Sequence, residues 1–332
     1  MSKGVGLDIG TNMLVAGTLG EDGKPTFKMQ RDAFYRIVPK SEVNRNSIKR
    51  ALDKRGFNFI SDKDGSFVVV GEEALETAIE RNDVAKRPLR RGVISPKEKD
   101  SLPMLKILIE NLLGKGDGDT NLIYSVPARP IDGIFDIVYH TEIMGSYLGK
   151  MGYIAQPINE AFAVALSELL EEGLTGICLS FGAGMVNTAV IHQGDPLVEF
   201  STTRAGDFID MSAGNALDIS PSLVQLEKES GVDLNNHSTK IMEAVSVYYG
   251  SVIRYTLENI AFELANRKKD LPIFREEVTM IVSGGLTKAT GFIGKMQQVL
   301  TTTDLPIKVS NIKKAGDPMT AVSNGCLLAA QL

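Results

Sequence analysis

A glycine turn set between two apolar runs occurs twice in this chain of 332 residues, and the two copies stand 172 positions apart. Gly4, Leu7, Gly10 and Met13 fall on Gly176, Leu179, Gly182 and Met185. Each copy reads as a strand, a small-residue turn and a second strand, from Met13 to Leu19 in one and from Met185 to His192 in the other. Both second strands run into a further turn, at Glu21–Pro25 and at Gln193–Pro196, so each copy is led by a hairpin. An offset near half the chain length predicts a duplicated α/β unit. The length itself, at about 150 residues per domain, also gives two domains.

A third glycine turn, Ser283 to Thr287, ends the apolar run from Val278 to Val282. Strands of open α/β sheets carry ligand-binding turns at their C-terminal ends, so this turn is expected to face a ligand. Two segments rich in small residues read as helices, Asn159 to Leu170 and Asp317 to Leu328. The second has Asp317 as its expected cap and Pro318 in its first turn. The Ala and Gly positions of the two helices predict a close crossing between the domains.

Charge and apolar patterning exclude several classes. Lys and Arg number 36 against 41 Asp and Glu, a net charge of −5 without long runs of either sign. General nucleic-acid binding relies on clustered cations and is not expected. No apolar stretch approaches the ~18 residues that cross a bilayer. The start, Met1 to Gly6, runs directly into a strand, so a cytoplasmic protein without direct membrane insertion is expected. Cys178 and Cys326 lie in apolar runs and read as reduced core thiols. His140, His192 and His237 have no second ligand at helical spacing, which argues against zinc chemistry.

The turns at Gly10, Thr11, Asn12 and Met13 and at Gly182, Ala183, Gly184 and Met185 can offer backbone N–H groups to an anion. Two such nests facing one another would hold a polyphosphate from both sides. Asp8 is a candidate to hold Mg2+ through water, and Glu160 to orient or activate an attacking water. Neither the P-loop pattern nor Gly-x-Gly-x-x-Gly occurs at a strand-to-helix turn, so a nucleotide bound here uses neither loop.

In this order the motifs resemble the actin-like ATPase superfamily, and most nearly its bacterial or archaeal filament proteins of the MreB and MamK type. Gly6 to Asn12 is similar to that family's first phosphate loop, and Ser180 to Gly184 to its second. Asn159 to Ala165 is similar to the first connecting helix, with Ala161 where the family pattern has proline, and Asp317 to Val322 to the second. Ser283 to Gly285 resembles the adenosine loop, while Val70–Ala74, Lys86–Ile94 and Arg204–Asp210 resemble stretches of MreB-type actins. The resemblance implies duplicated ribonuclease H-like domains with mixed five-stranded sheets flanked by helices and a nucleotide cleft between them. Domain I would comprise residues 1–155 with 317–332, its outer part near 30–95, and domain II residues 156–316, its outer part near 206–278.

Carried onto matching positions, the resemblance implies that ATP or ADP with Mg2+ lies against both turns. Gly206, Asp207, Glu227, Lys228, Gly284, Gly285 and Leu286 would join the site, with Asp8 and Glu160 at the chemistry. It implies an ATPase that polymerises head to tail with itself and is recruited through adaptor proteins. A non-polymerising chaperone-like or regulatory switch, or a small-molecule kinase, uses the same fold. The pattern is broken at Ser180, where the family has Asp near the metal, and slow hydrolysis is the expected consequence, with Asp207 a candidate to compensate.

Overall fold

The computed structural model describes residues 4–332. In the first half, β1 (Gly4–Ile9), β2 (Met13–Leu19) and β3 (Pro25–Arg31) form an antiparallel meander. An outer layer follows, with β4 (Phe34–Ile37), α1 (Glu42–Arg55), β5 (Phe59–Ser61), β6 (Phe67–Val70) and α2 (Glu72–Glu80). The short hairpin β7 (Leu89–Arg90) and β8 (Val93–Ile94) leads back to α3 (Ser101–Leu113), β9 (Thr120–Val126), α4 (Val138–Lys150) and β10 (Tyr153–Asn159). The main sheet runs β10-β9-β1-β2-β3, with β9 and β10 parallel to β1.

The second half repeats this plan. After α5 (Glu160–Glu168) come β11 (Gly176–Phe181), β12 (Val186–His192) and β13 (Asp195–Thr202). Three helices follow, α6 (Gly206–Leu217), α7 (Pro221–Ser230) and α8 (Lys240–Asn266), and then β14 (Val278–Ser283), α9 (Phe292–Leu300) and β15 (Val309–Lys314). The sheet order β13-β12-β11-β14-β15 matches the first sheet strand for strand, again with the last two strands parallel to the first. The repeat holds atom for atom at the turns. Gly10 N–H donates to the Met13 carbonyl at 3.1 Å, and Gly182 N–H to the Met185 carbonyl at 3.0 Å. Asp8 lies opposite Val15 in one hairpin and Ser180 opposite Asn187 in the other, both pairs separated by the same offset.

Helix α10 (Ala321–Ala329) returns to the first sheet, where the Ser323 hydroxyl donates to the Gly6 carbonyl at 3.0 Å. A Cβ on Gly6 would stand 2.2 Å from the Ser323 carbonyl oxygen, so only glycine lets the helix lie this close. On its other side α10 meets α5, where a Cβ on Gly325 would sit 1.8 Å from the Ala163 oxygen. Ala161, Ala165, Ala321 and Cys326 are buried in the same cluster, which continues to Cys178 on β11. Both cysteines are free and buried, as expected of core thiols.

The domain boundary expected after residue 155 lies within β10, which pairs with β9 through Asn159. Helix α10 begins at Ala321, later than expected. Asp317 and Pro318 form a separate turn instead, in which the Asp317 carboxylate accepts from Met319 N–H at 2.9 Å and its carbonyl from Thr320 and Ala321.

The crossing makes a contrast between glycines testable. Gly325→Ala is expected to cost about 1–3 kcal/mol in denaturant unfolding, because the backbone it meets cannot move cheaply. Gly294→Ala in α9, where nothing lies within 4 Å of the added carbon, is expected to gain up to about 1 kcal/mol.

Candidate functional site

The C-terminal ends of β1 and β11 open onto one cavity of about 500 Å³ between the halves. Asp8, Glu160 and Ser180 line it with all of Gly10 to Met13 and Gly182 to Met185. Gly206, Asp207, Lys228, Gly284, Gly285 and Leu286 line it as well. The two turns abut. The Thr11 hydroxyl is buried and accepts from Gly92 N–H at 2.9 Å, and a Cβ on Gly184 would stand 2.4 Å from that hydroxyl. Gly92 sits at the tip of the β7–β8 hairpin, where Arg91 and Gly92 both have positive φ, the backbone of a tight two-residue turn.

Two acids meet at the floor of the cavity. Asp8 Oδ1 accepts from the Ser125 hydroxyl at 2.7 Å, and that Ser125 oxygen accepts from Ile9 N–H at 2.9 Å. Asn159 caps α5 by accepting from Ala161 and Phe162 N–H, which puts Glu160 in the first helical turn. Ala161, standing where the family pattern has proline, thus supplies an N–H to the cap. Glu160 Oε2 accepts from Asn187 Nδ2 at 2.8 Å and from the Ser180 hydroxyl at 3.4 Å. Burial raises the pKa of both acids; the negative charge of Asp8 raises Glu160 further, while their hydrogen bonds pull the other way. Ser180 therefore adds a donor to Glu160 where a third carboxylate would add repulsion.

Val232, Tyr249, Leu286, Ala289 and Met319 add apolar and aromatic side chains to the cavity wall. The third turn joins it through Gly284, which has φ +91 and whose N–H donates to the Pro318 carbonyl at 2.9 Å. Lys228 Nζ donates to Asp210 Oδ2 at 2.7 Å and to the Gly206 carbonyl at 3.2 Å, inside the wall. Asp207, expected near the metal, pairs with Arg87 of the first half at 2.9 Å. Glu227 does not line the cavity. Gln225, Lys228 and Glu229 share one face of α7 at helical spacing, and Glu227 points off that face.

Glu229 is instead part of a cross-cavity latch. Arg31 on β3 donates to Glu229 at 2.9 Å, to Glu72 at 2.9 Å and to Asn12 Oδ1 at 3.0 Å. Burial opposes the charge on Glu229, but hydrogen bonds from Arg31, Gln225 and Asn12 outweigh it and lower its pKa to about 2. This pair and Asn187 were not found from the sequence. Arg31 and Glu229 are separated by 198 residues and carry no motif. Asn187 had one signal, as the polar residue standing at the repeat position of Val15.

A polyphosphate fits this cavity, whose wall holds both backbone turns, two acids and a set of apolar side chains. Among the described residues no group of three or more His, Cys, Asp or Glu is placed to hold a metal ion. Mg2+ needs no such cage, because it keeps several waters and is bound by one or two carboxylates with substrate phosphates. Asp8, with one oxygen engaged by Ser125, fits that role. Among the described residues no helix is long and apolar enough to cross a membrane.

Comparison with solved structures gives the same architecture over nearly the whole chain. The MamK double helical filament is similar at TM-score 0.70 and 17% identity, covering 99% of both chains. MreB5 of Spiroplasma citri bound to ADP is similar at TM-score 0.65 and 17% identity, covering 98% of this chain and 95% of that one. The ethanolamine utilization protein EutJ from Carboxydothermus hydrogenoformans is similar at TM-score 0.55 and 17% identity, covering 98% and 89%. The fold is therefore actin-like. No curated protein matches the sequence, while a family model described as Volactin matches residues 1–330.

The latch has a defined pH signature. A carboxyl lowered from 4.5 to about 2 contributes stability that is complete above 4.5 and disappears as pH falls through about 2. Glu229→Gln is expected to lower the unfolding midpoint in denaturant at pH 6, with the gap to the unsubstituted protein closing as pH falls from 4.5 towards 2.

Proposed function

The chain belongs to the Volactin family, and from that premise we propose that it is an actin-like ATPase that assembles head to tail into cytoskeletal filaments. The observation that carries this reading is the convergence of both repeated turns and both acids on one cavity between the two halves. The actin-like fold supports it, as do the filament formed by MamK and the ADP held by MreB5.

In this reading the backbone of Gly10–Met13 and Gly182–Met185 grips the phosphates from opposite sides, and the apolar side chains of the wall take the base. Residues 1–155 with 317–332 form one body and 156–316 the other, with β10 carrying the crossing between them. Asp8 would hold Mg2+, which would supply charge neutralisation at the phosphates. Glu160 orients and deprotonates the attacking water. Ser180, standing where the family has a carboxylate near the metal, makes hydrolysis slow. Closure on nucleotide presents one end of the subunit to the opposite end of the next, a heterologous contact that propagates without closing. The filament is cytoplasmic and is attached elsewhere through adaptors.

Pelleting and negative-stain microscopy with ATP, with ADP and without nucleotide test the reading. Filaments that depend on nucleotide are expected; a protein that stays monomeric at high concentration with ATP would instead be a nucleotide switch. Asp8→Ala is expected to weaken Mg-ATP binding roughly 10- to 100-fold. Glu160→Ala is expected to leave ATP affinity within about twofold and to slow turnover on the order of 100-fold. Equal loss of affinity in both variants would contradict the roles assigned.

A further inference from the structure

We propose that Asn187 is a positioning residue for hydrolysis, orienting Glu160 so that its Oε1 faces the attacking water, and that the Ala128 peptide of the first half in turn holds Asn187. The inference rests on the ATPase reading above and adds to it a residue that the resemblance did not single out.

The hydrogen-bond chemistry leaves one arrangement. Ala128 N–H can only donate, and it meets Asn187 Oδ1 at 2.9 Å, so the amide oxygen faces Ala128 and the NH2 group faces Glu160. That NH2 group can only donate, and it meets Glu160 Oε2 at 2.8 Å. Ser180 Oγ approaches the same oxygen at 3.4 Å. Oε2 is thereby held as an acceptor, and a proton taken up by Glu160 goes to Oε1. In the hydrolytic step one water proton passes to Oε1 while the water oxygen bonds to the γ-phosphorus. The bond from that phosphorus to the bridging oxygen breaks, and the bridging oxygen leaves with ADP.

Asn187 is 1% exposed and Glu160 9%, so both side chains are largely shielded from solvent. The Ala128 peptide is clamped on both sides by the second sheet. Its N–H goes to Asn187, and its carbonyl accepts from the Ser201 hydroxyl at 2.8 Å. Ile131 N–H continues the contact to the Ser201 carbonyl at 3.0 Å. Ala128 follows β9 of the first half, whereas Asn187 lies on β12 of the second.

The test measures ATP affinity and single-turnover hydrolysis for the unsubstituted chain, Asn187→Ala, Glu160→Ala and the double variant. Asn187→Ala is expected to slow turnover roughly 10- to 100-fold with ATP affinity within about twofold. In the Glu160→Ala background the same substitution is expected to cost no further rate, because Asn187 acts only through that carboxylate. Asn187→Asp keeps the shape and the acceptor for Ala128 but loses the donor to Glu160, and it is expected to be as slow as Asn187→Ala. Losses that add in the double variant, or turnover unchanged in Asn187→Asp, would overturn the positioning role while leaving the ATPase reading intact. No hydrolysis by the unsubstituted chain would overturn both.

Discussion

The approach of α10 to α5 governs the rest of the molecule. At Gly325 the two helices come so near that the Ala163 backbone occupies the space of a side chain, and at Gly6 the same helix lies directly on β1. Helix α10 belongs to the first sheet through Ser323 and Gly6, and α5 to the second through the cluster that holds Cys178. Packing at backbone distance tolerates little adjustment, because interiors are filled to crystal-like density. This crossing brings the C-terminal ends of β1 and β11 towards one another and makes a single cavity from two turns.

Once the strand ends face each other, the chemistry follows from confinement. Asp8 and Glu160 are brought into a confined space where two negative charges oppose one another, and burial favours their protonated forms. The chain answers with donors: Ser125 on Asp8, and Asn187 with Ser180 on Glu160. The outer parts are joined by charge instead, through Arg31 with Glu229 and Arg87 with Asp207, both pairs running from the first half to the second. A close helix crossing and two ion pairs thus join the halves.

The parts legible in the sequence were those that glycine dictates. Gly10 and Gly182 announced the hairpins, and Gly325 and its alanine neighbours the crossing, because a missing Cβ leaves a visible mark. Asp8 and Ser180 could be placed because each adjoins a glycine turn, and Glu160 because it opens the small-residue helix. The start of α10 was misjudged because Asp317 and Pro318 fit a helix start and a free-standing turn equally well. That Glu229 and not Glu227 faces the cavity is not legible in the sequence, because a helix face is set by docking and not by local pattern. Arg31, Ser125 and Asn187 act through partners more than 25 residues away, and a single sequence holds no record of such pairs.

The central claim is that the two turns, 172 residues apart, grip one ligand from opposite sides. Amide hydrogen exchange with and without Mg-ATP tests it most directly. The account predicts slowed exchange in both Gly10–Met13 and Gly182–Met185 at the same ATP concentration. Protection confined to one turn, or absent from both, would contradict it.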